Sequence, residues 1–140
     1  KAMYQKTLSY YLALFYRNFA AYTGERLRQI GLNFGYLFFV VYIGKKPKCA
    51  PSDVTRELKL DWGHCQRSLD RLVADGFVTR EKAGRSYSLT LTEKGQEAFE
   101  TAHQVFFDWD EQNLTALDEE EKNQLLTLLQ KAAEGRENHV

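Results

Sequence analysis

A chain of 140 residues and 16.3 kDa has room for one compact domain, or one domain with a small appended element, and excludes large catalytic barrels. With 44% hydrophobic and 27% charged residues and only two prolines, its composition is that of an ordered globular protein rather than a disordered tail. The 19 basic and 19 acidic residues cancel, but not evenly along the chain.

Residues 1–44 carry five basic and one acidic residue, residues 45–94 eleven and seven, and residues 95–140 three and eleven. A basic middle joined to an acidic end fits a protein that turns one face toward a polyanion and keeps another away from it. A plain solvated acidic helix at the end accounts for the same numbers. The longest nearly apolar run, Ile30 to Ile43, is broken by Gly31, Asn33 and Gly35 and falls short of the roughly 20 residues that span a bilayer. No membrane helix is expected, nothing at Lys1-Ala2-Met3-Tyr4 resembles a secretory signal, and a cytoplasmic protein is the default expectation. Cys49 and Cys65 lie in no C-x-x-C, and His64, His103 and His139 are scattered, so neither a disulfide framework nor a metal or cofactor site is indicated.

From Tyr4 to Tyr22, apolar residues recur at Leu8, Tyr11, Leu12, Phe15, Phe19 and Tyr22, with Tyr10, Leu14 and Tyr16 as a second flank. The spacing predicts a helix too greasy to be hidden on one side. It fits either a homodimer interface or the central helix of a monomer's core. A second helix is expected from Leu27 or Leu32 to Ile43, with Gly44 as its C-cap. Ser52 should cap a short helix from Asp53 to Leu58, and Asp61 should start another that reaches Asp75 and stops at Gly76. Two short helices joined by the tight turn Lys59-Leu60 form a helix-turn-helix. Phe77 to Arg80, a turn at Lys82-Ala83-Gly84-Arg85 and Tyr87 to Leu91 read as a hairpin. A long helix should follow from Thr92, and the capping pair Asp118 and Glu121 should open a last one. The fold class is therefore mainly α with a small two-stranded β wing.

On a helical wheel, Cys65, Leu69, Leu72 and Val73 fall on one face of the Asp61–Asp75 helix, with Trp62 at its edge. Gly63, His64, Arg67, Asp70, Arg71 and Ala74 fall on the other. Gly63 permits close backbone approach, while His64, Gln66 and Arg67 can hydrogen-bond base edges in a major groove. The turn Lys82-Ala83-Gly84-Arg85 is basic and positioned for phosphates or a minor groove. The candidate DNA-binding residues are thus Gly63, His64, Gln66, Arg67, Arg71, Lys82 and Arg85. A second set, Tyr16, Phe19, Tyr36, Phe39, His103 and Phe106, combines stacking surface with polar tips, the mixture of a small-molecule pocket or of a plain core. Cys49, in a lysine-rich loop, is a candidate reactive thiol or an ordinary loop cysteine. No G-x-S-x-G, phosphate-binding glycine loop or nucleophile set points to an enzyme.

This order of elements resembles the MarR family of bacterial transcription regulators over nearly the whole chain. The resemblance is carried by Leu60-Asp61, by Gln66-Arg67-Ser68-Leu69-Asp70-Arg71-Leu72-Val73-Ala74-Asp75-Gly76-Phe77-Val78, and by Leu89-Thr90-Leu91-Thr92-Glu93-Lys94-Gly95. It implies a winged helix-turn-helix DNA-binding region at 45–94 and a helical dimerisation region from 1–44 and 95–140. The implied protein is a homodimer on a pseudo-palindromic double-stranded operator, acting as a ligand- or redox-responsive repressor whose effector is a small aromatic or phenolic compound. Ala83 stands where the family's wing has an aspartate, and Gly63, His64 and Gln66 replace its usual Ser/Thr pair, so no operator sequence carries over. The alternative is a winged-helix assembly module that binds no DNA.

Overall fold

The computed structural model describes residues 6–137, so Tyr4 and His139 lie outside the described residues. The first helix, α1 (Leu8–Gln29), opens with Thr7 Oγ1 accepting the Tyr10 N–H at 3.3 Å. It runs past Tyr22 to Gln29, and the N–H groups of Ile30 and Leu32 bond back to the Leu27 carbonyl, with Gly31 in the left-handed region at φ 76°. Leu27 therefore lies in the last turn of the first helix rather than starting the second. After a 3-10 turn at Phe34–Tyr36 comes α2 (Leu37–Lys45), whose Leu37, Phe39, Val40 and Ile43 are all buried.

Gly44 is not the C-cap of α2; Lys46 is. A Cβ at Gly44 would overlap the Phe99 ring, so this glycine is set by a close approach to another helix, a tertiary demand that local pattern cannot show. The next expectation also shifts. In α3 (Pro51–Leu58) the N-cap is Ala50 and Pro51 occupies the first helical position, where its missing N–H costs nothing. Ser52 lies inside the helix, and the Asp53 carboxylate caps it instead by accepting the Ala50 N–H at 2.9 Å. That bond, with the Arg56 guanidinium beside it, holds the Asp53 carboxyl below the usual carboxylate range.

Lys59, at φ 55°, turns the chain into α4 (Trp62–Ala74). Asp61 caps it by accepting the His64 N–H at 2.8 Å, and Gly76, at φ 83°, ends it. The wing is an antiparallel pair, β1 (Val78–Ala83) and β2 (Ser86–Leu91), with Arg80 opposite Leu89 and Lys82 opposite Tyr87. Lys82 and Ala83 are strand residues, so the turn is shorter than expected: two residues, Gly84 and Arg85. Gly84 at φ 63° supplies the positive φ that the first position of a type II′ turn requires. Cys49 adds a third line of pairing to Leu89: the Lys48 N–H donates to the Leu89 carbonyl and the Leu89 N–H to the Cys49 carbonyl, both at 2.8 Å.

The long helix α5 (Glu93–Asn113) starts where Thr92 Oγ1 accepts the Gly95 N–H at 2.9 Å and donates to the Gly76 carbonyl at 2.6 Å. One apolar cluster unites Leu27, Leu37, Phe39, Val54, Leu69, Leu72, Phe77, Leu89, Ala98 and Ala102, drawing on both sides of the helix-turn-helix and on the wing root. The chain divides between Phe106 and Phe107 into two compact units. In the second, Asp118 and Glu121 close the expected capping box, with bonds of 3.0 and 2.8 Å, and open α6 (Glu119–Glu137). No single helix among the described residues is long and apolar enough to cross a membrane.

Candidate nucleic-acid interface

The buried stripe of α4 is Cys65, Ser68, Leu69 and Leu72, which anchors the helix in the core and turns its opposite face outward. His64, Arg67 and Arg71 are on that exposed face. Gly63 brings the backbone close to the surface, and the Arg67 guanidinium lies back toward it, with Nη1 about 3.1 Å from where a Cβ would stand. Arg71 is engaged with Asp75 at 3.1 Å, so part of its charge is already neutralised. Gln66 is half-buried and its amide nitrogen is buried without a hydrogen-bond partner. The wheel explains this: Gln66 sits beside half-buried Val73, at the border between the two faces.

The wing is fixed to this helix. Arg80 Nη1 meets Asp70 Oδ1 at 2.7 Å, with Arg80 only 25% exposed, so strand β1 is clamped to the outer face of α4. The pleat places Arg80, Lys82, Tyr87 and Leu89 on one face of the ribbon. Leu89 is in the core, while the Lys82 ammonium rests 5.4 Å from the centre of the exposed Tyr87 ring. Lys82 and Arg85 are exposed at the tip. At the other end of α4, Lys94 donates to the Asp75 carbonyl at 2.9 Å and covers the Phe77 ring at 4.3 Å, tying the start of α5 to the helix end. Arg80 and Lys94 went unmarked in the sequence, because their roles rest on partners 10 and 19 residues away, and Tyr87 because its partner Lys82 is set by the hairpin register.

The second candidate set is brought together only in part. Phe19 stacks on Phe106 at 5.8 Å and meets Phe34 at 6.1 Å, and Tyr16 reaches the same Phe34 at 6.4 Å. Phe38, which the sequence reading passed over as part of an apolar run, lies 5.8 Å from Phe106. Tyr36 forms a separate edge contact with Phe39 at 6.4 Å, and Phe39 is fully buried. His103 stacks on Phe99 at 5.7 Å. Tyr16 is 60% exposed, so this aromatic line runs from the core to the surface.

Cys49 departs from the reactive-thiol expectation. It is buried, and burial together with the Asp53 carboxylate pushes its thiol up to about 11, away from the thiolate that oxidants attack. Cys65 is raised in the same direction, chiefly by burial. Alkylation by iodoacetamide at pH 7.5 is therefore expected to be slow in the folded protein and fast after unfolding in denaturant; equal rates would contradict this environment.

Residues 65–103 match the DUF6293 C-terminal winged helix domain. Over 139 residues the chain is 42% identical to the HTH-type transcriptional regulator BilQ of Clostridium symbiosum, covering 97% of this chain and 96% of that protein. The chain belongs to the MarR family of transcriptional regulators. A MarR family regulator from Listeria monocytogenes, solved with a 26mer DNA, superposes with a TM-score of 0.84 at 20% identity, over 93% of this chain and 89% of that one. A mutant MarR from E. coli, solved with operator DNA, gives 0.75 at 25% identity, over 89% and 92%. These MarR relatives are regulators, not enzymes, and the six α-helices and two-stranded wing of the described residues are the MarR architecture.

Proposed function

We propose that this protein is a homodimeric repressor that binds a pseudo-palindromic DNA duplex. The N-terminal half of α4 enters the major groove, and the wing tip lies along the neighbouring phosphates or minor groove. The observation that carries this is the outward N-terminal half of α4, with Gly63, His64 and Arg67, held in fixed relation to a basic wing by the Arg80–Asp70 pair. In this reading His64 and Arg67 meet base edges, while Arg71, Lys82 and Arg85 serve phosphates. Gln66, half-buried, acts more through packing than through base contact. The DNA-bound relatives favour the same use of the fold.

Residues 1–44 and 95–140 supply the dimer contacts, and residues 45–94 the DNA-binding region. Support comes from the apolar surface each unit leaves outward: Leu8, Tyr11, Leu12, Phe15 and Tyr16 on α1, and Leu126 and Leu128 on α6, are 41–62% exposed. Faces of this kind are covered in stable proteins. Such a regulator works in the cytoplasm, where its DNA is. Selection of bound duplexes from a random pool is expected to recover an inverted repeat with half-sites about 10 base pairs, one helical turn, apart. Recovery of isolated half-sites would overturn the dimeric reading.

The signal it answers is a small aromatic or phenolic effector rather than an oxidant, since both thiols are buried and raised. The surface-reaching line of Tyr16, Phe34, Phe19 and Phe106 offers ring faces for stacking, and the polar-tipped Tyr36 and His103 stand two and three residues from Phe34 and Phe106 in sequence. A ligand bound there weakens DNA binding by its differential affinity for two spacings of the recognition helices, typically about 1–3 kcal/mol. Titrating phenolic acids into the preformed complex is expected to release DNA. No release and no calorimetric heat across the panel at millimolar ligand would leave these rings as packing.

A further inference from the structure

Trp62 is the first residue of α4, directly before Gly63 and His64, and it is 55% exposed. On the wheel it falls toward the core face, but the helix begins there and more than half of the residue stays in solvent. Among the described residues its indole makes no hydrogen bond and no ring contact. A tryptophan left in water forgoes more burial than any other side chain, and its N–H goes without a protein partner. The other large apolar groups exposed on helices of the first compact unit lie on α1, apart from Phe38, whose ring already meets Phe106. Trp62 is on a different helix from these, at the end whose residues meet base edges in a helix-turn-helix complex.

The chemistry there is divided. His64 and Arg67 are polar and cationic, suited to guanine and to acceptor atoms. Trp62 offers a flat apolar edge. The apolar mark in a major groove is the thymine 5-methyl group, which protein side chains read by van der Waals contact. We infer that Trp62 is a further specificity-determining residue, packing its indole against a thymine methyl at one position of each half-site. The inference rests on the DNA-binding reading above. It assigns Trp62 a contact that its wheel position hides and that the usual hydrogen-bonding residues of the helix do not make.

The test replaces each thymine of the selected duplex, one position per half-site at a time, with uracil, which deletes only the methyl. Binding is then measured for the wild type, Trp62→Ala and Trp62→Phe. Burial of one methyl group in each of the two half-sites predicts about a ten- to 25-fold loss for the wild type when uracil stands at that position in both. Trp62→Ala should bind the thymine duplex more weakly and show no further loss with uracil there, while Trp62→Phe keeps part of the discrimination. Equal uracil penalties at every position in the wild type and Trp62→Ala would overturn the inference and leave DNA binding intact, as would a uniform loss for Trp62→Ala on all sequences, which marks a backbone contact. A wild type with no preference for the selected duplex over random DNA would overturn the DNA reading itself, and this inference with it. Because Trp62 is exposed, thermal melts of both variants should match the wild type, which separates a binding loss from a folding loss.

Discussion

Gly95→Ala is expected to destabilise the protein by about 2–4 kcal/mol, although helix propensity alone gives the opposite sign. Alanine in a helix is about 1 kcal/mol better than glycine, so an uncrowded glycine at such a position would ordinarily gain from the change, whereas Gly95 is buried. Here a Cβ would fall on the Phe77 carbonyl oxygen and 3.2 Å from the Leu91 Cβ. The obstruction is backbone and cannot rotate away. The same carbonyl accepts the Thr92 N–H at 3.0 Å, and Thr92 in turn caps α5 and bonds Gly76. Relieving the overlap therefore loosens the junction where recognition helix, wing and long helix meet, and overpacking against a fixed wall outweighs the propensity gain. Thermal unfolding at fixed protein concentration should show a Tm lower by about 10 °C. An unchanged or higher Tm would mean that the close approach is not as drawn.

Arg67→Ala should weaken operator binding by about 1–3 kcal/mol, a five- to 150-fold loss, and relax base preference at one position per half-site. Arg67 is exposed on the outer face of α4 and, among the described residues, has no carboxylate partner, so its removal leaves no orphaned charge and the fold should stand. Arg71→Ala makes the contrast. Arg71 already pairs with Asp75, so its loss should cost less and fall evenly across sequences. Filter binding of both variants to operator and random duplexes separates them. Equal losses for Arg67→Ala on both duplexes would move Arg67 from base reader to phosphate contact.

Local chemistry made much of this fold legible. Asp61 before a helix, Gly76 after it, and Asp118 with Glu121 are caps whose donors and acceptors lie within a few residues, so sequence order alone pairs them. The amphipathic stripe of α4 was equally plain, because Cys65, Leu69 and Leu72 repeat at helical spacing. What stayed hidden depended on distant partners. Gly44 read as a helix stop because a glycine before a polar stretch usually is one; only the Phe99 ring shows that it is a contact point. Cys49 read as electropositive from its lysine neighbours, yet pairing with Leu89 and burial near Asp53 decide its chemistry. Trp62 shows the limit of the wheel, which knows angle but not depth: an edge residue at a helix end is exposed.

A DNA duplex gripped by α4 and the wing together must show itself in the salt dependence of operator binding. If Arg71, Lys82 and Arg85 of each of two copies neutralise phosphates, the slope of log K against log salt should be about −5, and affinity should fall roughly a thousandfold between 50 and 200 mM salt. Lys82→Ala with Arg85→Ala should flatten that slope while Arg67→Ala leaves it nearly unchanged. Operator affinity that stays level across this range, or that equals the affinity for random duplex at every salt concentration, would contradict the claim.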